Sequence, residues 1–195
     1  MLRHGMKRFA VPVLGVVSLL AGLSAGAAEP VGASTEQLAQ DFVSSLDRAV
    51  QVPSRPGLSD AQARPANTYQ TFYFANFTGA VVYNNGTALT GVSIVTPLPA
   101  AMASSPSGFV GSAQAVVPAS TPWSQVITYT TNLSDPYGAA KTCTYSVSTA
   151  FVNGACQANI TFTAQGAQGA VCGFFPAQSG VDPVTCQLQL AVGIQ

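Results

Sequence analysis

The sequence is short of charge, and most of the charge it has lies near the N-terminus. Only seven of the 195 residues are Lys or Arg and seven are Asp or Glu. From Pro65 to the C-terminus the charged residues are Asp135, Lys141 and Asp182. Nucleic acids and anionic membranes select clusters of Lys and Arg, and this region has none. We therefore expect no nucleic-acid partner and a surface kept soluble by Ser, Thr, Asn and Gln.

Histidine is also scarce, which limits the chemistry available. The single histidine, His4, lies in a segment interpreted below as a signal peptide. Without it, neither a Ser-His-Asp nor a Cys-His arrangement can form. Asp135 and Asp182 each precede a proline, which is typical of a turn rather than of a pair of catalytic carboxylates. The sequence therefore predicts a protein that is not an enzyme, with no catalytic residues and no cofactor.

Residues 1–28 have the three parts of a secretory signal peptide. Arg3, Lys7 and Arg8 form a charged head, residues 9–23 an apolar run, and residues 24–28 a small-residue cleavage region. The apolar run is short for a membrane span. We expect a Sec-type signal, a mature chain with no membrane span, and a secreted, periplasmic or cell-surface location. Cleavage leaves four Lys or Arg residues against seven carboxylates, a mildly acidic chain.

Residues 29–67 are predicted to hold a short N-terminal helix and a linker with several prolines. Ser34 and Gln37 have the spacing of a capping box. An apolar stripe then recurs every four residues, at Leu38, Phe42, Leu46 and Val50. Pro53 ends this pattern, and the segment after it, up to residue 67, has the composition of an exposed linker.

The clearest strand pattern spans residues 142–165, on either side of Asn153-Gly154. Bulky and small polar side chains alternate through both arms, and a period of two indicates strands with one buried face. Asn-Gly is the strongest short signal for a two-residue hairpin turn. Such a turn places inward residues opposite one another, as correct register requires: Val152 opposite Ala155, Phe151 opposite Cys156, Val147 opposite Ile160 and Tyr145 opposite Phe162.

Other strand signals follow throughout residues 68–195. They include an aromatic-rich central strand over 69–77 and a second Asn-Gly turn at 85–86 with a returning strand over 87–96. A variable Pro-rich loop is predicted over 97–121, with candidate short edge strands at 109–110 and 115–117, and a regular last strand over 185–194. About eight to ten strands with no helical periodicity between them indicate an all-β domain. We predict an antiparallel β-sandwich, immunoglobulin-like or jelly-roll, with a short N-terminal helix and two disulfides.

The four cysteines are Cys143, Cys156, Cys172 and Cys186. No CxxC spacing and no mature histidine are present, so disulfides are favoured over a metal site. The hairpin would separate Cys143 from Cys156 by about 25 Å at ~3.3 Å per residue, beyond the ~7 Å reach of a disulfide. Two connectivities stay open, and strands running up and down favour Cys143–Cys172 with Cys156–Cys186.

Two functional hypotheses follow. The first is a structural or adhesive surface protein that pairs its sheet edges with copies of itself or with a cell-surface partner. The second is a carbohydrate-binding module that stacks a glycan on exposed aromatic rings, with candidates Tyr69, Tyr73, Tyr83, Trp123 and Tyr137. Three of these rings in a row on one exposed face would favour the glycan hypothesis, whereas burial of the rings would favour the structural one.

Overall fold

The computed structural model describes residues 41–44, 49–58 and 63–195. The predicted signal peptide and the first part of the predicted helix lie outside these residues. The described chain is all-β and sandwich-like, with two sheets and two disulfides. The general fold class predicted from the sequence is therefore confirmed.

Sheet A has seven strands. In spatial order they are β1 (Val43–Ser44), β11 (Cys172–Phe174), β13 (Leu188–Ile194), β3 (Asn67–Asn76), β7 (Phe109–Pro118) and β5 (Ser93–Thr96), with β12 (Gly180–Val181) also paired to β13.

Sheet B has six strands, in the order β2 (Val50–Gln51), β10 (Ala155–Gln165), β9 (Thr142–Val152), β8 (Trp123–Thr130), β4 (Val82–Asn84) and β6 (Ala101–Met102). Its three long central strands form an antiparallel meander. One short 3-10 turn, Pro176–Gln178, precedes β12.

The main core fills the space between the two sheets. Phe74 of sheet A packs on Tyr129 of sheet B with ring centroids 5.1 Å apart. The Tyr145 hydroxyl of sheet B donates a hydrogen bond of 2.7 Å to the Gly193 carbonyl of sheet A. Burial of Tyr145 raises the pKa of its hydroxyl, so the hydroxyl stays protonated at physiological pH and can donate this hydrogen bond between the sheets.

The predicted hairpin is present in the predicted register. Tyr145 lies opposite Phe162 and Phe151 opposite Cys156, along a ladder of eleven pairs. The turn residues Asn153 and Gly154 have φ of 52° and 82°, as a type I′ turn requires at both central positions. The inward side chains Val147 and Ile160 are almost fully buried in the main core, so alternation and turn chemistry specify the same register.

Both disulfides join one sheet of the sandwich to the other. Cys143 on β9 is bonded to Cys172 on β11, and Cys156 on β10 to Cys186 just before β13, with Cα atoms 5.6 and 5.2 Å apart. These are the two pairs that strands running up and down favour, once the hairpin has excluded Cys143–Cys156. Each closes a loop of about thirty residues, which restricts the unfolded chain and stabilises the folded one.

The predicted N-terminal helix is not supported: Asp41 is the one helical residue among those described in 29–67, and Leu38 and Leu46 of the predicted stripe lie outside the described residues. Val43–Ser44 instead pairs with β11, and Val50–Gln51 with β10. These two-residue strands supply backbone partners to strand edges that would otherwise be unpaired. Phe42, from the predicted apolar stripe, is half-buried and packs on Phe175 at the outer face of sheet A.

Residues 49–58, assigned partly to the linker, cross from one sheet to the other. Val52 is 1% exposed and its amide donates to the Ala158 carbonyl. The Arg55 amide donates to the Val181 carbonyl, and the Val181 amide donates to Pro53. This segment therefore covers one side of the sandwich.

Three details of the strand order differ from the prediction. The last strand, β13, pairs parallel with β3, so the sandwich is not wholly antiparallel. Residues 87–96 do not return beside β4, because β5 crosses to sheet A and pairs with β7. The predicted Pro-rich loop contains the ten-residue strand β7, which lies between β3 and β5. Its inward alanines, Ala113 and Ala115, are fully buried.

We predict that Gly154→Val destabilises the protein by about 1–3 kcal/mol, because a β-branched residue tolerates positive φ poorly. Open space surrounds this position, so backbone conformation and not a steric clash determines the cost. The control is Gly154→Asn, since Asn tolerates this conformation better, and it should cost clearly less. Urea unfolding measures the stability of both variants, and an equal loss of stability in the two would contradict a type I′ turn.

Candidate functional site

Two of the five candidate aromatic residues are buried. Trp123 is 8% exposed and packs in the main core, with its ring centroid 5.9 Å from that of Phe72. Tyr73 is 5% exposed at the outer face of sheet A, where it packs against Phe109. Neither ring is open to a stacked sugar.

The other three candidates are exposed but do not form a row. Tyr69 projects from β3 in sheet A, opposite Val116. Tyr83 lies on β4 in sheet B, and Tyr137 in the turn between β8 and β9. The Tyr137 hydroxyl accepts a bond of 3.4 Å from the Asn85 amide, so Tyr83 and Tyr137 share one end of sheet B. Two rings at one end and a third on the other sheet lend no support to a three-ring glycan platform.

Residues 63–195, which we call the β-body, contain two carboxylates, Asp135 and Asp182. Both accept hydrogen bonds from backbone amides of the turns in which they lie. Asp135 accepts hydrogen bonds from the Gly138 and Ala139 amides. Asp182 is 3% exposed and accepts bonds of 2.8 Å from the amides of Gly57, Val184 and Thr185. Burial alone would raise the pKa of Asp182, but the hydrogen bonds outweigh it and the pKa lies below its usual value. Both residues therefore stabilise turns, which agrees with the interpretation of the two Asp-Pro sequences as turn signals.

A shallow depression of about 480 Å³ lies beside the hairpin tip. Arg64 is the one ionisable residue that lines it. Its guanidinium donates to the carbonyls of Val184 and Gly154 and stacks 3.9 Å from the Phe151 ring centroid. Arg64 thus fastens the N-terminal segment to the hairpin, and the depression offers no acid, base or nucleophile. No sequence pattern indicated this contact, because the partners lie far away along the chain.

The most unusual exposed feature is the free edge of sheet A at β5. All four residues of β5 are exposed, and Ile94 and Val95 are 51% and 54% exposed. β5 ends the strand order of its sheet and carries no charge. The flanking Pro97 was the available signal of an edge strand.

Within residues 41–44, 49–58 and 63–195, no group of three or more His, Cys, Asp or Glu is placed to hold a metal ion. None of the helical structure in these residues is long and apolar enough to cross a membrane.

Comparison of the chain with protein-family models, with curated proteins and with solved structures finds no significant match. Function is therefore argued from this chain's own surfaces.

We predict that Asp182→Asn destabilises the protein at pH 7 by about 1–3 kcal/mol, because the new amide group replaces an acceptor needed by buried amide donors. Since the folded-state pKa of Asp182 is depressed, its stabilisation is present above the unfolded pKa of about 3.9 and is lost as pH falls through the folded value. The difference between variant and wild type should therefore narrow below about pH 4.

Urea unfolding at pH 7, 5 and 3 measures this difference. Asp135→Asn is the control, because Asp135 is exposed and its loss should cost less. A cost for Asp182→Asn that does not change with pH would contradict the assignment.

Proposed function

We propose that the protein is an exported, non-enzymatic structural or adhesive surface protein that associates with copies of itself through β5. The observation that carries this proposal is the uncharged edge of sheet A, where Ile94 and Val95 are half exposed. An unpaired strand edge presents backbone N–H and C=O groups to any incoming strand. Soluble proteins commonly protect such edges with charged residues, and this edge has none.

The opposite side of the sandwich supports the same proposal. There the two-residue strands β1 and β2 end the two sheets, and such short edge strands present few unpaired backbone groups to a partner. The arrangement favours association at one edge and opposes it at the other. Pairing of β5 with β5 of a second copy would be symmetric, which is the commonest geometry of a homodimer.

The carboxylates and cysteines of residues 63–195 are committed to structural contacts, which fits this role. Asp135 and Asp182 are each committed to turn amides, and Arg64 is held by two carbonyls. All four cysteines are in disulfides. Two disulfides also agree with an exported protein, since oxidising compartments allow them to form.

The test is the mass of the mature chain, residues 29–195, by size-exclusion chromatography with light scattering over a wide concentration range. We expect a concentration-dependent dimer. Ile94→Lys should weaken it about tenfold or more, because a charge on an edge strand opposes pairing. Leu133→Lys is the matched control: Leu133 is 52% exposed, against 51% for Ile94, but lies in a turn. A wild-type monomer at every concentration, or equal weakening by both variants, would contradict the proposal.

A further inference from the structure

The outer face of β8, β9 and β10 is an open array of uncharged polar side chains. Its members are Ser124, Ser146, Ser148, Gln157, Asn159 and Thr161, and we refer to them as the hydroxyl face. Four of the six are exposed and Gln157 and Thr161 are half-buried. They alternate with residues of the main core, such as Val147 and Ile160, so the sheet presents them all on one side.

Strand register arranges these side chains in rows. Ser124 lies opposite Ser148, which lies opposite Asn159. The next row is Val126, Ser146 and Thr161. Neighbouring strands are about 4.8 Å apart, and successive residues on one face are about 6.6 Å apart along a strand. The hydroxyl face is therefore a regular two-dimensional grid of hydrogen-bonding groups.

These groups keep their hydrogen-bonding capacity free for a ligand. At one border of the face the Thr128 and Thr144 hydroxyls bond to each other at 3.1 Å, and Thr142 bonds to Thr130 at 2.7 Å. By contrast, none of the six side chains of the hydroxyl face bonds to another residue in the part of the chain that the structure describes.

The composition of this face identifies the kind of ligand. No residue of β8, β9 or β10 carries a charge, so a charged ligand gains no electrostatic attraction here. The exposed large apolar side chains of these strands are Val126 and Val152, and neither is aromatic, whereas protein interfaces usually centre on aromatic, apolar or Arg anchors. A neutral ligand rich in hydroxyls fits better, because each Ser or Thr can both donate to and accept from such a group.

We propose that the hydroxyl face binds the surface of a neutral polysaccharide. A repeating grid suits a ligand whose hydroxyls also repeat, and a polymer surface allows many individually weak hydrogen bonds to form at once. The proposal supplies a partner for the adhesive role, and it concerns sheet B rather than the β5 edge of sheet A. Its failure and the failure of self-association are therefore separately observable.

The experiment is sedimentation of the mature chain with three insoluble neutral polysaccharides: microcrystalline cellulose, chitin and a β-1,3-glucan. Calcium alginate gel serves as the anionic comparison. We expect saturable binding to at least one neutral polymer and little retention by alginate. If the protein binds none of the three neutral polymers, or if alginate retains it equally well, the proposal is overturned.

Variants locate the binding surface. Ser146→Ala, Ser148→Ala and Asn159→Ala combined should weaken binding about tenfold or more, because three free hydrogen-bonding groups are removed. The matched control combines Asn67→Ala, Ser112→Ala and Ser120→Ala, three exposed sites that lie outside both β5 and the hydroxyl face. Thermal unfolding should show both triple variants folded. Equal loss in both would overturn the assignment.

Two further variants separate the alternatives. The double variant Tyr83→Ala and Tyr137→Ala tests whether the polysaccharide binds to the exposed aromatic rings instead. Loss of binding in this variant, while the hydroxyl-face variant still binds, would overturn the proposal.

Ile94→Lys tests whether polysaccharide binding depends on self-association. We expect this variant to keep its intrinsic affinity for the polysaccharide, because residue 94 lies on the other sheet.

Discussion

The structure depends on the register of β9 against β10, which the turn at Asn153-Gly154 holds in place. A slip of one residue would move Ser146 and Ser148 into the core and Val147 out of it. Cys143 would then also point away from Cys172, its disulfide partner on the other sheet. Packing, covalent cross-links and the polar outer face are thus three consequences of a single backbone arrangement, and none of them can change independently of the others.

The second constraint is the near absence of charge on the β-body. Its two carboxylates serve turns, and its polar residues are mainly Ser, Thr, Asn and Gln. Such a surface has little long-range electrostatic attraction for a partner. Recognition must therefore depend on groups that act at short range, which are backbone edges and hydrogen-bonding side chains. This is why both proposed surfaces, the β5 edge and the hydroxyl face, are uncharged.

Features of the fold that are decided locally could be predicted from the sequence, whereas those that depend on distant strands could not. The hairpin follows from alternation and an Asn-Gly turn, and it also limits the disulfide pairing. Residues 38–50 have a helix-like period, yet Val43 and Val50 pair with edges that only the folded sheets create. Likewise, alternation places Tyr73 outward, but only the fold shows that Phe109 covers it. A local sequence pattern therefore could not predict which of the candidate aromatic side chains are exposed.

The positions of the two proposed surfaces bear on how they would work together. Symmetric pairing through β5 would use the same edge of both copies, so the assembly would close as a dimer. A two-fold axis perpendicular to the joined sheet keeps equivalent faces on the same side. Both hydroxyl faces would then approach one polymer surface together, and linked weak contacts bind far more tightly than separate ones. Self-association would in this way strengthen adhesion without adding any new contact to the ligand.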